Sequence, residues 1–146
     1  MVAYNKINIF PEDLAEKIHN LASDTLKLML TNSAPLASNT IKSNLTEISA
    51  GNGYSAGGTT VTVSSSGQTS GTYKLVCADV VFTASGGTIG PFRYAVLYND
   101  TPTANSQGAN ADPLIAWWDY ASSITLADTE TFTWDADPTN GIMTIA

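Results

Sequence analysis

His19 is the only histidine in the chain, and so the only side chain whose charge changes near neutrality without help from its surroundings. It falls between Ile18 and Asn20 on a predicted helix and reads as a half-exposed helix residue, not as a catalytic base. The single cysteine, Cys77, sits mid-strand among apolar neighbours, where a thiol is a small buried filler. One cysteine cannot close an internal disulfide, and no cysteine cluster exists to hold a structural zinc. The remaining chemistry lies with carboxylates. Asp119, Asp128, Glu130, Asp135 and Asp137 fall near Trp117, Trp118 and Trp134, and two carboxyl groups flanking a bound ring are what glycoside hydrolysis requires. Their surroundings are turns and strand ends, so they read as ordinary solvated acids. Asp135-Ala-Asp137-Pro-Thr139-Asn-Gly141 begins like a calcium loop, but its glycine comes one place late and no bidentate Glu follows before Ala146. It reads as a turn between two strands. Catalytic, cofactor-binding and metal-binding residues are therefore all expected to be none.

The other segment with chemical potential is Asn44 to Gly58, a short apolar stretch that runs into a glycine-rich loop with Tyr54 at its centre. Gly51, Gly53, Gly57 and Gly58 allow sharp turns, and the tyrosine ring can pin them by burial. Such a loop can cradle a phosphate, present a binding surface or turn a corner. It lacks the Gly-Lys-Ser/Thr ending of a phosphate-binding loop, and it precedes a strand where that chemistry needs a helix amino terminus. The reading that remains is a structural turn held by Tyr54.

The elements that must position these residues follow from composition and periodicity. A chain of 146 residues suits one domain. Charged residues make up only 13%, and the polar remainder is rich in Thr, Ser, Asn and Gly, which favours strands and turns. A formal charge of −7 repels a phosphate backbone, so nucleic acid is not an expected partner. No stretch is long enough to span a bilayer, and the amino terminus shows no secretory pattern, so no membrane and no export are expected. Asn44-Leu-Thr and Asn99-Asp-Thr match the glycosylation tripeptide, as chance allows in so Asn- and Thr-rich a chain.

Residues 1–10 are irregular and read as an extended arm, followed by a single β-rich domain over 11–146. Pro11-Glu-Asp, with Leu14, Ile18 and Leu21 behind it, predicts an amphipathic helix over residues 11–22. Leu26, Leu28 and Leu30 alternate with Lys27 and Met29 as a strand. Residues 41–48 fit a short helix or a strand, with Leu45 and Ile48 as the buried positions. Thr59 to Ser65 alternates as a strand, Ser64 to Gly71 reads as a turn cluster, and Thr72 to Thr83 as one strand covered on both faces. Phe92 to Tyr98, Leu114 to Tyr120, Ser123 to Leu126, Glu130 to Ala136 and Ile142 to Ile145 complete the strands, with Asn99 to Pro113 a polar surface excursion. The pattern predicts a mainly β fold, an antiparallel β-sandwich or barrel-like body with one short N-terminal α-helix. Trp117 and Trp118 point to opposite faces of their strand. Either the sheet is covered on both sides, or one of them anchors a protein interface, with sugar stacking a third possibility.

Five runs carry a resemblance that the chemistry does not supply. They are Pro11-Glu-Asp-Leu-Ala-Glu-Lys-Ile-His-Asn-Leu, Leu28-Met-Leu-Thr-Asn-Ser-Ala-Pro, Leu45-Thr-Glu-Ile-Ser-Ala-Gly-Asn-Gly-Tyr-Ser-Ala-Gly-Gly, Gly90-Pro-Phe-Arg-Tyr-Ala-Val-Leu-Tyr-Asn-Asp and Pro113-Leu-Ile-Ala-Trp-Trp-Asp-Tyr. In this order they resemble a family of small virion structural proteins of tailed bacteriophages. The resemblance implies a protein without enzymatic activity. Specifically, it implies a head decoration, or cement, protein that is made in the host cytoplasm and sits on the virion head exterior. Its implied partners are the major capsid protein, whose subunit contacts it would stabilise, and further copies of itself as a dimer or trimer. On this reading the arm pairs with a capsid strand, and Tyr4, Ile7, Ile9, Phe10, Trp117 and Trp118 are the expected partner-binding residues. Two other functions stay open. One is a tail, baseplate or fibre-associated protein, structural or host-recognising, that uses the tryptophans and the Asn99 to Pro113 loop. The other is a glycan-active enzyme using the acids near Trp134.

Overall fold

Alternation of Leu26, Leu28 and Leu30 with Lys27 and Met29 builds one central strand of a mainly β, antiparallel, sandwich-like fold with a single short helix. The computed structural model describes residues 2–108 and 110–146. In chain order the strands are β1 (Asn5–Lys6), β2 (Leu26–Thr31), β3 (Thr59–Thr60), β4 (Val63–Thr69), β5 (Thr72–Cys77), β6 (Val80–Thr83), β7 (Ile89–Asn99), β8 (Leu114–Leu126), β9 (Thr131–Trp134) and β10 (Met143–Ile145), with helix α1 at Phe10–Ala15.

The large sheet runs β1-β8-β7-β2-β3. Its centre is apolar on both faces: Leu28 pairs with Leu97, Met29 with Val96 and Leu30 with Ala95, all fully buried. This explains why Met29, on the opposite face from the leucines, is as buried as they are. The smaller sheets, β10-β5-β4 and β6-β9, complete the same core. Trp118 of β8 meets Trp134 of β9 edge to face with centroids 4.9 Å apart, and Phe92 of β7 meets Phe132 of β9 at 5.0 Å. Such pairs add roughly 0.5–1.5 kcal/mol each beyond their buried area.

Several local expectations are corrected. Helix α1 ends at Ala15, well short of residue 22. Lys17 adopts a left-handed φ of 66°, its N–H bonds to Leu14 O, and the Ile18 N–H reaches back to Asp13 O at 2.8 Å. This is a Schellman stop without its usual glycine. Ser64 to Gly71 is not a turn cluster: β4 continues to Thr69, and only Ser70 (φ 50°) and Gly71 (φ 85°) turn, both left-handed as a type I′ hairpin requires. A serine- and threonine-rich strand at a sheet edge carries the composition of a loop. The predicted strand over 72–83 splits at Ala78-Asp79, where the Asp79 carboxylate accepts the Ala136 N–H at 2.8 Å and the chain passes from one sheet to another. By contrast, β8 is continuous through 114–126, with a bulge around Ala121 (φ 68°) absorbing the break that the sequence suggests. The open choice over 41–48 resolves to a single 3₁₀ turn at Lys42–Asn44 with isolated bridges on either side, Ile41 to Pro113 and Glu47 to Thr31.

The N-terminal arm is also corrected. Met1 lies outside the described residues, but Asn5 and Lys6 pair with Trp117 and Ala116, and the Ile7 N–H bonds to Ile115 O. Ile7, Ile9 and Phe10 are buried in the chain's own core. Burying three large apolar side chains is worth roughly 1.5–3 kcal/mol each, which holds the segment down.

Candidate functional site

A buried cluster around the histidine forms where α1, the turn after it and the 99–113 excursion meet. Asp13 and Asn99 are fully buried, and His19 is 5% exposed. This corrects the half-exposed helix position expected for His19, because early termination of α1 folds the histidine inward against Phe10, with ring centroids 5.3 Å apart. The Asn99 amide is oriented by its neighbours. Its Oδ1 accepts the Thr101 N–H at 3.1 Å, and its Nδ2 donates to Asp24 Oδ2 at 2.7 Å. The same Nδ2 lies 3.1 Å from His19 Nδ1, so Nδ1 must be the acceptor and Nε2 must carry the proton. That Nε2 faces Asp13 Oδ2 at 3.9 Å, beyond hydrogen-bond reach. Burial lowers the His19 pKa, while Asp13 and Asp24 pull it back up. Asp13 Oδ1 meanwhile accepts the Ser106 N–H at 2.8 Å. The cluster thus works as a buckle that ties the excursion to the helix through a neutral imidazole. Sequence reasoning missed it because its members lie far apart along the chain.

The glycine-rich loop is anchored from both sides. Tyr54 is 3% exposed; its hydroxyl donates to Glu47 Oε1 at 2.6 Å and accepts the Leu30 N–H at 3.0 Å. Burial, followed by the bond to Glu47, pushes its pKa up. Glu47 Oε1 also accepts the Gly57 N–H at 2.7 Å, and the Tyr98 hydroxyl donates to Gly57 O at 2.7 Å. These contacts continue the large sheet past the short β3. The N–H of Leu30 goes to Tyr54, and its carbonyl accepts the Ile48 N–H at 3.1 Å. The loop is a seal on a sheet edge.

Four of the five acids near the tryptophans are engaged. Asp119 forms a bidentate pair with Arg93 at 2.7 and 2.8 Å and accepts the Ala121 N–H, and the guanidinium lowers its pKa. Asp128 accepts the Gly86 N–H and Glu130 the Ala127 N–H. Asp137 caps the turn before β10 through the Asn140 and Thr139 N–H groups, which lower its pKa. That turn joins β9 to β10, strands of different sheets, so it is a crossover and not a hairpin. Cys77 is buried, and burial raises its thiol pKa to about 12, which removes the thiolate a nucleophile needs.

The expected partner-binding residues do not form one surface. Ile7, Ile9, Phe10 and Trp118 are core residues, so they cannot seat in a partner's pockets without unfolding this chain. Tyr4 and Trp117 are partly buried and pack against the core; burial raises the Tyr4 pKa to about 12, and its ring meets Trp118 edge to face. Trp118 faces the core and Trp117 the half-covered opposite side, as strand alternation requires. The least protected feature lies elsewhere, at β4. It forms one edge of its three-stranded sheet, and five of its seven residues are exposed, with Val63 and Ser66 half-buried. Comparison with known protein families, characterised proteins and solved structures finds no match.

Proposed function

We propose that the chain is a non-enzymatic structural protein of a tailed-bacteriophage virion, a head decoration protein that binds the capsid exterior and stabilises contacts between major capsid protein subunits. The observation that carries this reading is a contrast within the molecule. Four of the acids near the tryptophans and the histidine are engaged in caps, an ion pair and a buckle, while the edge strand β4 leaves five of its seven residues exposed. A protein that works by binding needs a rigid body and unsatisfied backbone at its margin, and a β edge offers both. The runs of sequence that resemble phage virion proteins support the same reading, as does the acidic balance, which suits an outer surface better than contact with packaged DNA. Many weak contacts repeated over a symmetric shell add through effective concentration.

The test uses purified protein and capsids that lack it. Co-sedimentation with the shells, and cryo-microscopy density on their outer surface, are the expected results. Density confined to the tail, or binding to host cell walls with none to shells, overturns the head assignment. Release of product from cell-wall polysaccharide overturns the non-enzymatic one.

A further inference from the structure

We propose that β4 is a self-association edge, at which two copies of this chain pair antiparallel around a two-fold axis at Gly67 to join their small sheets into one. Natural sheets blunt their edges with short strands, charge or proline. The other edge strands fit that rule, since β1 and β3 have two residues, β10 three, and β6 and β9 four. Strand β4 has seven residues and neither charge nor proline. Its bulge is confined to the Val63–Ser65 end, leaving Ser65 to Thr69 paired one for one with Val76 to Thr72.

Gly67 is the second observation. The chain has eleven glycines, and ten of them hold a left-handed φ that accounts for the residue. Gly67 does not, and a Cβ built on it meets nothing within 4 Å. A glycine inside a strand weakens it and often marks a bulge, a bend or close approach of another backbone, and the register is unbroken through Gly67. Nothing in the single chain makes that approach, and a second copy would.

The register follows from the hairpin. In a two-residue turn the flanking pair, Thr69 and Thr72, exchanges hydrogen bonds. Counting back, Gly67 and Ser65 bond inward to β5, while Gln68 and Ser66 turn their N–H and C=O outward. The Ile142 N–H bonding to Leu75 O on the far side of β5 agrees with this phase. Two copies centred on Gly67 therefore place Ser66 opposite the partner copy's Gln68, and the reverse, as hydrogen-bonded pairs. The two Gly67 residues face each other as a non-hydrogen-bonded pair, Cα atoms about 4.5 Å apart, where side chains crowd most.

Charge leaves this edge open to a second copy. Copies of a −7 chain repel one another, yet residues 48–73 contain no Asp, Glu, Lys or Arg. Strand β4 lies in that stretch, so like molecules meet there without bringing formal charges together.

Gly67→Lys and Gly67→Cys test the pairing, since neither substitution meets an obstacle in the single chain. Wild-type protein should sediment as a concentration-dependent dimer. Gly67→Lys, which sets two like charges face to face across the axis, should sediment as a monomer with unchanged circular dichroism and, because position 67 also lies opposite Lys74 of its own chain, at most a small loss of thermal stability. Gly67→Cys should oxidise to a disulfide dimer, because the expected Cα separation lies within disulfide range and Cys77 is buried. Self-pairing is overturned by wild-type protein that stays monomeric with Gly67→Cys uncrosslinked, or by Gly67→Lys assembling as wild type does. A monomeric wild type whose Gly67→Lys variant loses shell binding would also overturn it, and would give the edge to a capsid segment. Sedimentation and crosslinking are read without capsids, so self-pairing stands or falls separately from the decoration reading.

Discussion

The chain treats two of its sheet edges in opposite ways. Beyond β2 and the two-residue β3, the glycine-rich loop takes over: the Tyr54 hydroxyl meets the Leu30 N–H, the Ile48 N–H meets Leu30 O, and Glu47 locks the loop behind them. Beyond β4 no strand or loop pairs with the backbone among the described residues. Two glycines summarise the difference. At Gly58, with φ +76°, an added Cβ would fall 2.0 Å from Leu28 O, whereas at Gly67 it would meet nothing. A segment that looks flexible from its composition is thus a tight seal, and one that looks like a turn is an extended, open strand. Glycine content alone does not separate the two; what the backbone touches does.

Gly58→Ala attacks the sealed edge most directly. Collision with the β2 backbone and an unfavourable φ should together destabilise by about 4 kcal/mol or more, read as a fall in the urea midpoint. A cost below about 1 kcal/mol would mean that the loop does not press on β2. Tyr54→Phe keeps the ring and removes the hydroxyl, leaving the Leu30 N–H and the Glu47 carboxylate short of a partner. About 2 kcal/mol should be lost, with faster amide exchange at Leu30. Unchanged exchange there would assign the seal to ring packing alone.

Acid should act on the His19 buckle and not on the seal. Because burial holds the His19 pKa below its ordinary 6.5, the unfolded chain takes up a proton first as pH falls. Stability from this site is complete above about 6.5 and declines below it until the folded value is reached. Protonated Nδ1 would also turn a donor toward the Asn99 amide, so exchange should quicken at Thr101 and Ser106 while Leu30 stays protected. As the sole histidine, His19 can be assigned by removal: His19→Gln should flatten stability between pH 5 and 7, and a slope that persists would point to the carboxylates. Smallest and opposite in sign, Gly67→Thr should stabilise the isolated chain by about 0.5–1 kcal/mol. A loss instead would show that Gly67 meets something within its own chain.

Where signals are local, the sequence was legible. Leucine alternation marks β2, the aromatic run marks β7, and Pro11 with two acids marks the start of α1. The β class follows from them. Tyr54 as the pin of the glycine-rich loop was legible too, from one aromatic among glycines. Its partners were not, since Glu47, Leu30 and Tyr98 come from three separate segments. His19 and Ile7 show the same limit. Helical spacing and an irregular N-terminal pattern suggested exposure, but burial depends on Asn99 and Ile115, which lie far along the chain.

The sequence by itself determined which residues prefer extended or turning backbone and which side chains must leave water, because those preferences belong to each residue and its near neighbours. Only the tertiary structure decided which strand lies beside which, which edge is sealed and which glycine is spare. Those outcomes are hydrogen bonds and contacts between distant segments, and a backbone N–H carries no mark in the sequence of the partner that will satisfy it.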